Sequence, residues 1–326
     1  MAASNTPLQP TGPGFRGEVD YDQDRGGAPG RQAARLRAGP EKMKPASGSI
    51  SRHDRLDAAS AGPRSSLPQL SIPSILGIWA AAALPMAGLG WLVSPWLAGS
   101  LDRAAGIPGT TRILAMTVGL VWQFVIVLLL VRHEAGSLSW SSMRDRLWLQ
   151  TPRQPRTGRP DRRMWLWLVP LVVLYVIEAF AIGPVLQRAW ISMFPVLAEP
   201  PQFAFSQLID VPENRALLEG AWWFYGLFLL LAIFNTVLGE ELLFRGALLP
   251  RMRGSFGNWD WLANGVLFGF YHLHQPWGIL GGAVSGALLF ALPTRLFQSA
   301  WMSIVIHSGQ SVFFAVVLLS YFRGSG

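Results

Sequence analysis

The chain contains no cysteine, which removes disulfides, thiolate metal ligands and cysteine nucleophiles together. Any metal site would have to use His, Asp or Glu. Charge is also scarce: 14% of the 326 residues are charged while 51% are hydrophobic, too apolar a balance for an ordinary soluble domain. The composition therefore predicts an all-α, polytopic membrane bundle. A formal charge of +8 would suggest nucleic acid in a soluble protein. Here the arginines sit largely in an N-terminal tail and in loops flanking apolar runs, as cytoplasmic loops do, and no nucleic-acid partner is expected. No tandem repeat is present. The first segment has no apolar core of signal-peptide type behind its basic residues, so no cleaved export signal is expected.

Residues 1–67, rich in Gly, Pro, Ala, Ser and Arg and without helical or strand period, read as a disordered basic cytoplasmic tail. Residues 72–216 read as N-terminal transmembrane helices and loops. Within them, spans are expected near Ile72 to Ala98, Thr111 to Val131 and Met164 to Leu186. The connection carrying Arg144, Arg146, Arg153, Arg156, Arg159, Arg162 and Arg163 is placed in the cytoplasm. The more acidic stretch from Arg188 to Gly220, with Phe203, Phe205, Leu208 and Ile209, reads as an outer loop and a candidate lid. Residues 217–322 read as a membrane core of four further spans, near Trp222 to Leu249, Trp261 to His274, Trp277 to Leu292 and Ala300 to Phe322. That makes about seven helices in all.

The core holds charge where charge is expensive. Glu240, Glu241 and Arg245 lie inside the fourth run, and ionisable groups at such depth face a bundle interior or wet cavity and mark a functional site. At a rise of about 1.5 Å per residue, Glu241 lies about 15 Å from Arg251, near the middle of a hydrocarbon core about 30 Å thick. By the same count His272 and His307 come out at about 20 Å and about 12 Å from their cytoplasmic ends. Glu241 and Arg245 share a helix face and can neutralise each other. Glu240 is turned about 100° away and is the freer carboxylate, suited to act as a base toward water. Neutral imidazoles at His272 and His307 can orient a water, bind a metal or donate to an oxyanion. His274 is a weaker candidate, because two residues on a helix point in widely separated directions. Glu178, in the third run, reads as a carboxylate near the outer boundary or paired with a neighbouring helix.

Glu240, Glu241 and Arg245, then Phe268 and His272, then His307 resemble the three motifs of the CPBP family, also called Abi. This family of intramembrane proteases includes the type II CAAX prenyl endopeptidases and proteins of bacteriocin processing or immunity. The resemblance covers Trp222 to Phe322. It implies a helical core with a cavity opening to the cytoplasm, in which Glu240 and His272 activate water and His307 stabilises the oxyanion. Glu241, Arg245 and Phe268 would support them. The chain departs from the pattern four residues after His307, where the family commonly has Asn and this sequence has Ser311, preceded by Gln310.

Glu240, His272 and His307 also make a three-ligand set suited to Zn2+, while the same residues suit a metal-free glutamate mechanism. No His-Glu-x-x-His sequence is present. The expected activity is intramembrane peptide hydrolysis of a membrane-associated protein or peptide, CAAX-type processing included, in a bacterial plasma membrane. A non-proteolytic binding or bacteriocin-immunity protein on the same scaffold is the alternative. A proton-coupled transporter relaying through Glu178, Glu240 and Glu241 is the third reading.

Overall fold

The computed structural model describes residues 67–204 and 206–323. The tail, and Phe205 of the candidate lid, lie outside the described residues. Six helices are long and apolar enough to cross a membrane: α1 (Ile72–Ala105), α2 (Thr110–Ala135), α3 (Arg162–Met193), α4 (Trp222–Arg251), α6 (Pro276–Phe297) and α7 (Trp301–Arg323). The protein is thus a multi-pass, all-α integral membrane protein. The remaining expected span is α5 (Asp260–Tyr271), only 12 residues long. At about 1.5 Å per residue it covers about 18 Å, short of a full crossing. A single 3-10 turn, His272–His274, continues it.

Local chemistry sets the helix limits. Ser71 caps α1, its hydroxyl accepting from the Ser74 amide, with proline in the first turn. Asp102 caps α2, accepting from the amides of Gly109 and Thr111 at 2.9 and 2.8 Å. Gly136, at φ 67°, ends α2 in the left-handed conformation that glycine tolerates. Among the described residues proline follows four of the five π-helical widenings, at Pro95 after Leu89–Val93, Pro184 after Glu178–Ile182, Pro250 after Leu242–Leu248 and Pro293 after Gly286–Ala291. A missing amide and ring clash at proline disturb the preceding turn, and a π turn absorbs the misfit.

Two sets of hydrogen bonds tie the helix ends together. At one end Arg251 grips Glu134 through two bonds of 2.7 and 2.6 Å. There the Leu70 amide donates to the Arg251 carbonyl, the Arg153 amide donates to Phe297, and Arg295 pairs with Asp260. Arg251 was expected simply to mark a cytoplasmic helix end. It is instead fully buried, bonding Ala247 and Arg146 carbonyls as well. At the other end Trp91 donates to the Leu273 carbonyl, Arg112 to His274 and Trp190 to Pro276.

Small residues bring α5 and α6 into close contact. A Cβ on Gly269 would sit 2.6 Å from that of Ala283 and 2.7 Å from the Ile279 carbonyl oxygen, and one on Gly265 would overlap the Ala287 backbone. This approach decides where the α5 aromatics and histidine stand relative to α4.

Candidate active site

The site starts in α4. The backbone is π-helical over Phe234–Gly239 and again over Leu242–Leu248, so Glu240 and Glu241 sit between two widened turns. Such widenings are frequent at functional sites. Asn264 of α5 donates to the Phe244 carbonyl at 2.8 Å, supplying a partner inside the second widening. Every residue from Gly239 to Met252 is buried.

Glu241 and Arg245 form the expected pair, with Nη1 to Oε1 at 3.1 Å and neither side chain exposed to solvent. The same carboxylate oxygen faces His307 Nδ1 at 2.9 Å. Arg245 also donates to the Gly286 carbonyl at 3.1 Å, and its guanidinium lies 4.0 Å above the centre of the Phe268 ring. The cation is therefore held by a carboxylate, a carbonyl and an aromatic face, which is what a buried charge needs.

The two histidines are oriented by their inner nitrogens. His272 Nδ1 meets the Phe268 carbonyl at 2.9 Å, and a carbonyl can only accept, so Nδ1 carries the proton. In neutral imidazole this leaves Nε2 with a free lone pair. His307 Nδ1 likewise donates to Glu241, while its ring stacks on Phe290 at 4.7 Å between centres. Phe268 stands edge-on to His272 at 4.9 Å, so one aromatic supports both Arg245 and His272.

His272, His307, Gln310 and Phe268 line a common cavity of about 270 Å³ with Tyr175 and Glu178 of α3. Gln310 Oε1 accepts from the Tyr175 hydroxyl at 2.7 Å, which leaves the Gln310 amide nitrogen to serve as a donor. Ser311 is not on the cavity wall. Neither is Glu240, which is 3% exposed, enters no ion pair among the described residues, and has the Tyr271 hydroxyl as its hydrogen-bonding neighbour. That hydroxyl accepts from Gln123 at 2.6 Å, and the Tyr271 ring lies 5.0 Å from His272.

Two expectations change. Glu178 has no ion-pair partner among the described residues and is 9% exposed on the cavity wall. It is not a boundary carboxylate neutralised by a neighbouring helix. His274 is not on the cavity wall: the 3-10 turn sets it beside Gly90, whose added Cβ would lie 3.1 Å from that of His274, and its ring stacks on His272 at 5.5 Å between centres. The candidate lid does not cover the site either. Phe203 packs under Arg112 at 3.9 Å and against Trp91, lining a separate cavity of about 210 Å³ with Leu208.

Tyr175, Phe290 and Gln123 escaped the sequence reading. Tyr175 left one trace, its position three residues before Glu178 on the same helix face. Among the described residues, no three His, Asp or Glu side chains are arranged to hold a metal ion.

Residues 221–313 match the family model described as type II CAAX prenyl endopeptidase, Rce1-like. The chain carries a domain of this family. The Rce1-like domain takes in α4 to α6 and the His307 turn of α7, while α1, α2 and most of the basic loops fall outside it. No curated protein and no solved structure matches the chain.

Proposed function

We propose that the protein is an intramembrane endopeptidase that hydrolyses a peptide bond of a membrane-associated protein or peptide. The observation that carries this reading is the convergence of His272, His307 and Gln310 on one cavity within an Rce1-like domain. His272 Nε2, free to accept, takes a proton from water as it attacks the carbonyl carbon. Glu240 lies behind this wall beside Tyr271 and is the carboxylate to which that proton passes. The oxyanion forms toward Gln310 and His307. The Gln310 amide donates directly, and His307, its Nδ1 held by Glu241, stands beside it. Arg245 balances Glu241, so that the carboxylate remains charged in a low-dielectric interior.

Newly formed peptide termini are to be compared in cells carrying the wild type or Glu240→Gln at equal abundance. Termini absent only in the variant, and restored by purified wild-type protein, are the expected result. If the termini are the same in both, hydrolysis by this site is refuted. One observation favours a second reading: Glu240 is off the cavity wall, which suits a binding protein on the same scaffold. Its signature would be a cellular phenotype of the wild type that survives Glu240→Gln.

A further inference from the structure

The cavity has a direction. From His307 and Tyr175 its wall continues along α3 through Glu178, Gly183 and Gln187, and on α6 it runs from Ser285 to Gly278. These residues lead to the end where Trp190 bonds the Pro276 carbonyl. Toward the opposite end the wall of this cavity does not continue. Gly239–Met252 is buried without a break, and Ser299, Ala300, Met302 and Ser303 of the α7 entry are each fully buried.

The end that this cavity does not reach is the arginine-rich one. It holds the Arg251–Glu134 grip and the connection carrying Arg144, Arg146, Arg156 and Arg159. The connection at the open end carries Glu199, Asp210, Glu213 and Glu219 against Arg215. Loops rich in arginine stay in the cytoplasm. Glu178 adds an independent indication, because an unpaired carboxylate within an apolar bundle requires water, and the passage on which it stands leads to the acidic end.

We propose that the catalytic cavity takes its substrate from the non-cytoplasmic face, so that its substrates are peptide segments presented on the outer side of the membrane. This rests on the peptidase reading and adds the side of access to it. It reverses the cytoplasmic opening that the family resemblance implied. The reason is packing: Gly239–Met252 of α4 is buried without a break on the cytoplasmic side of the site, while the outer half of α3 meets α6 through Trp190 and Pro276 and leaves the cavity between them.

Because the chain has no cysteine, single cysteines report unambiguously. Gln187→Cys and Ala179→Cys stand on the wall, and Ser141→Cys stands exposed at the arginine-rich end. Full-length variants in right-side-out and inside-out membrane vesicles are treated with a membrane-impermeant, charged maleimide. The wall cysteines are expected to react in right-side-out vesicles and to lose that labelling in inside-out ones, with Ser141→Cys showing the reverse. Wall labelling only in inside-out vesicles, labelling from neither side, or Ser141→Cys reacting from the same side as the wall overturns the inference. Labelling requires no substrate, so its failure is separate from failure of the peptidase reading, which the terminus comparison decides.

Discussion

Helices α3 and α4 are alike in composition and opposite in use. Their most apolar windows have mean hydropathy of 2.2 and 1.9, yet 6% of the α3 window is buried against 39% of that in α4. Hydropathy reports that both can sit in lipid and says nothing about which is packed. Only two residues of α3 are buried, Tyr175 and Glu178, and both are polar and line the cavity of the candidate site. In α4 the buried stretch is continuous and contains the ion pair. One helix lies buried behind the cavity and the other, mostly exposed, lines its wall from Tyr175 to Gln187.

The largest test of that contrast is Arg245→Ala. It leaves Glu241 buried without its cation, a change that costs about 3–5 kcal/mol when one partner of a buried pair is removed. Thermal unfolding in detergent should show a protein that is strongly destabilised or absent. Next is Gln310→Ala, expected to lower turnover about 100-fold with little loss of folded protein, since one oxyanion donor is removed. Ser311→Ala should leave turnover unchanged, and equal losses in both variants would contradict the assignment of the donor to Gln310. Tyr175→Phe removes only the 2.7 Å bond that fixes the Gln310 amide. It should reduce turnover by about tenfold or less, because a single hydrogen bond contributes about 1 kcal/mol. The smallest effect belongs to Val176→Ala, next in sequence to Tyr175 but 50% exposed toward lipid. Its stability should stay within about 0.5 kcal/mol of wild type, and a larger loss would mean that α3 packs more tightly than its burial indicates.

Much of the site was legible because membrane burial makes polar residues conspicuous. The Glu241–Arg245 pair followed from their four-residue spacing, and the matching depths of His272 and His307 followed from helix rise. The choice between Gln310 and Ser311 did not, because three and four residues after His307 both lie near its helix face. Tyr175, arriving from another helix, selects between them. Arg251 read only as a mark of the cytoplasmic helix end, because nothing in its neighbourhood of sequence reveals Glu134 as its partner. Glu178 was visible as an acid in an apolar run, but whether it met a cation or a cavity depended on the tilt of α3 beyond Pro184.

Sequence by itself determined that this chain lives in a membrane, which end of the bundle is basic, and which polar groups lie within its apolar runs. Those properties depend on composition, rise per residue and nearest helical neighbours. Tertiary structure alone decided that His272, His307 and Gln310 share one cavity, that Glu240 stands behind it, and that the cavity leads away from the arginines. Each of these depends on how closely glycines let α5 approach α6 and on where α3 packs beside them, which no single helix encodes.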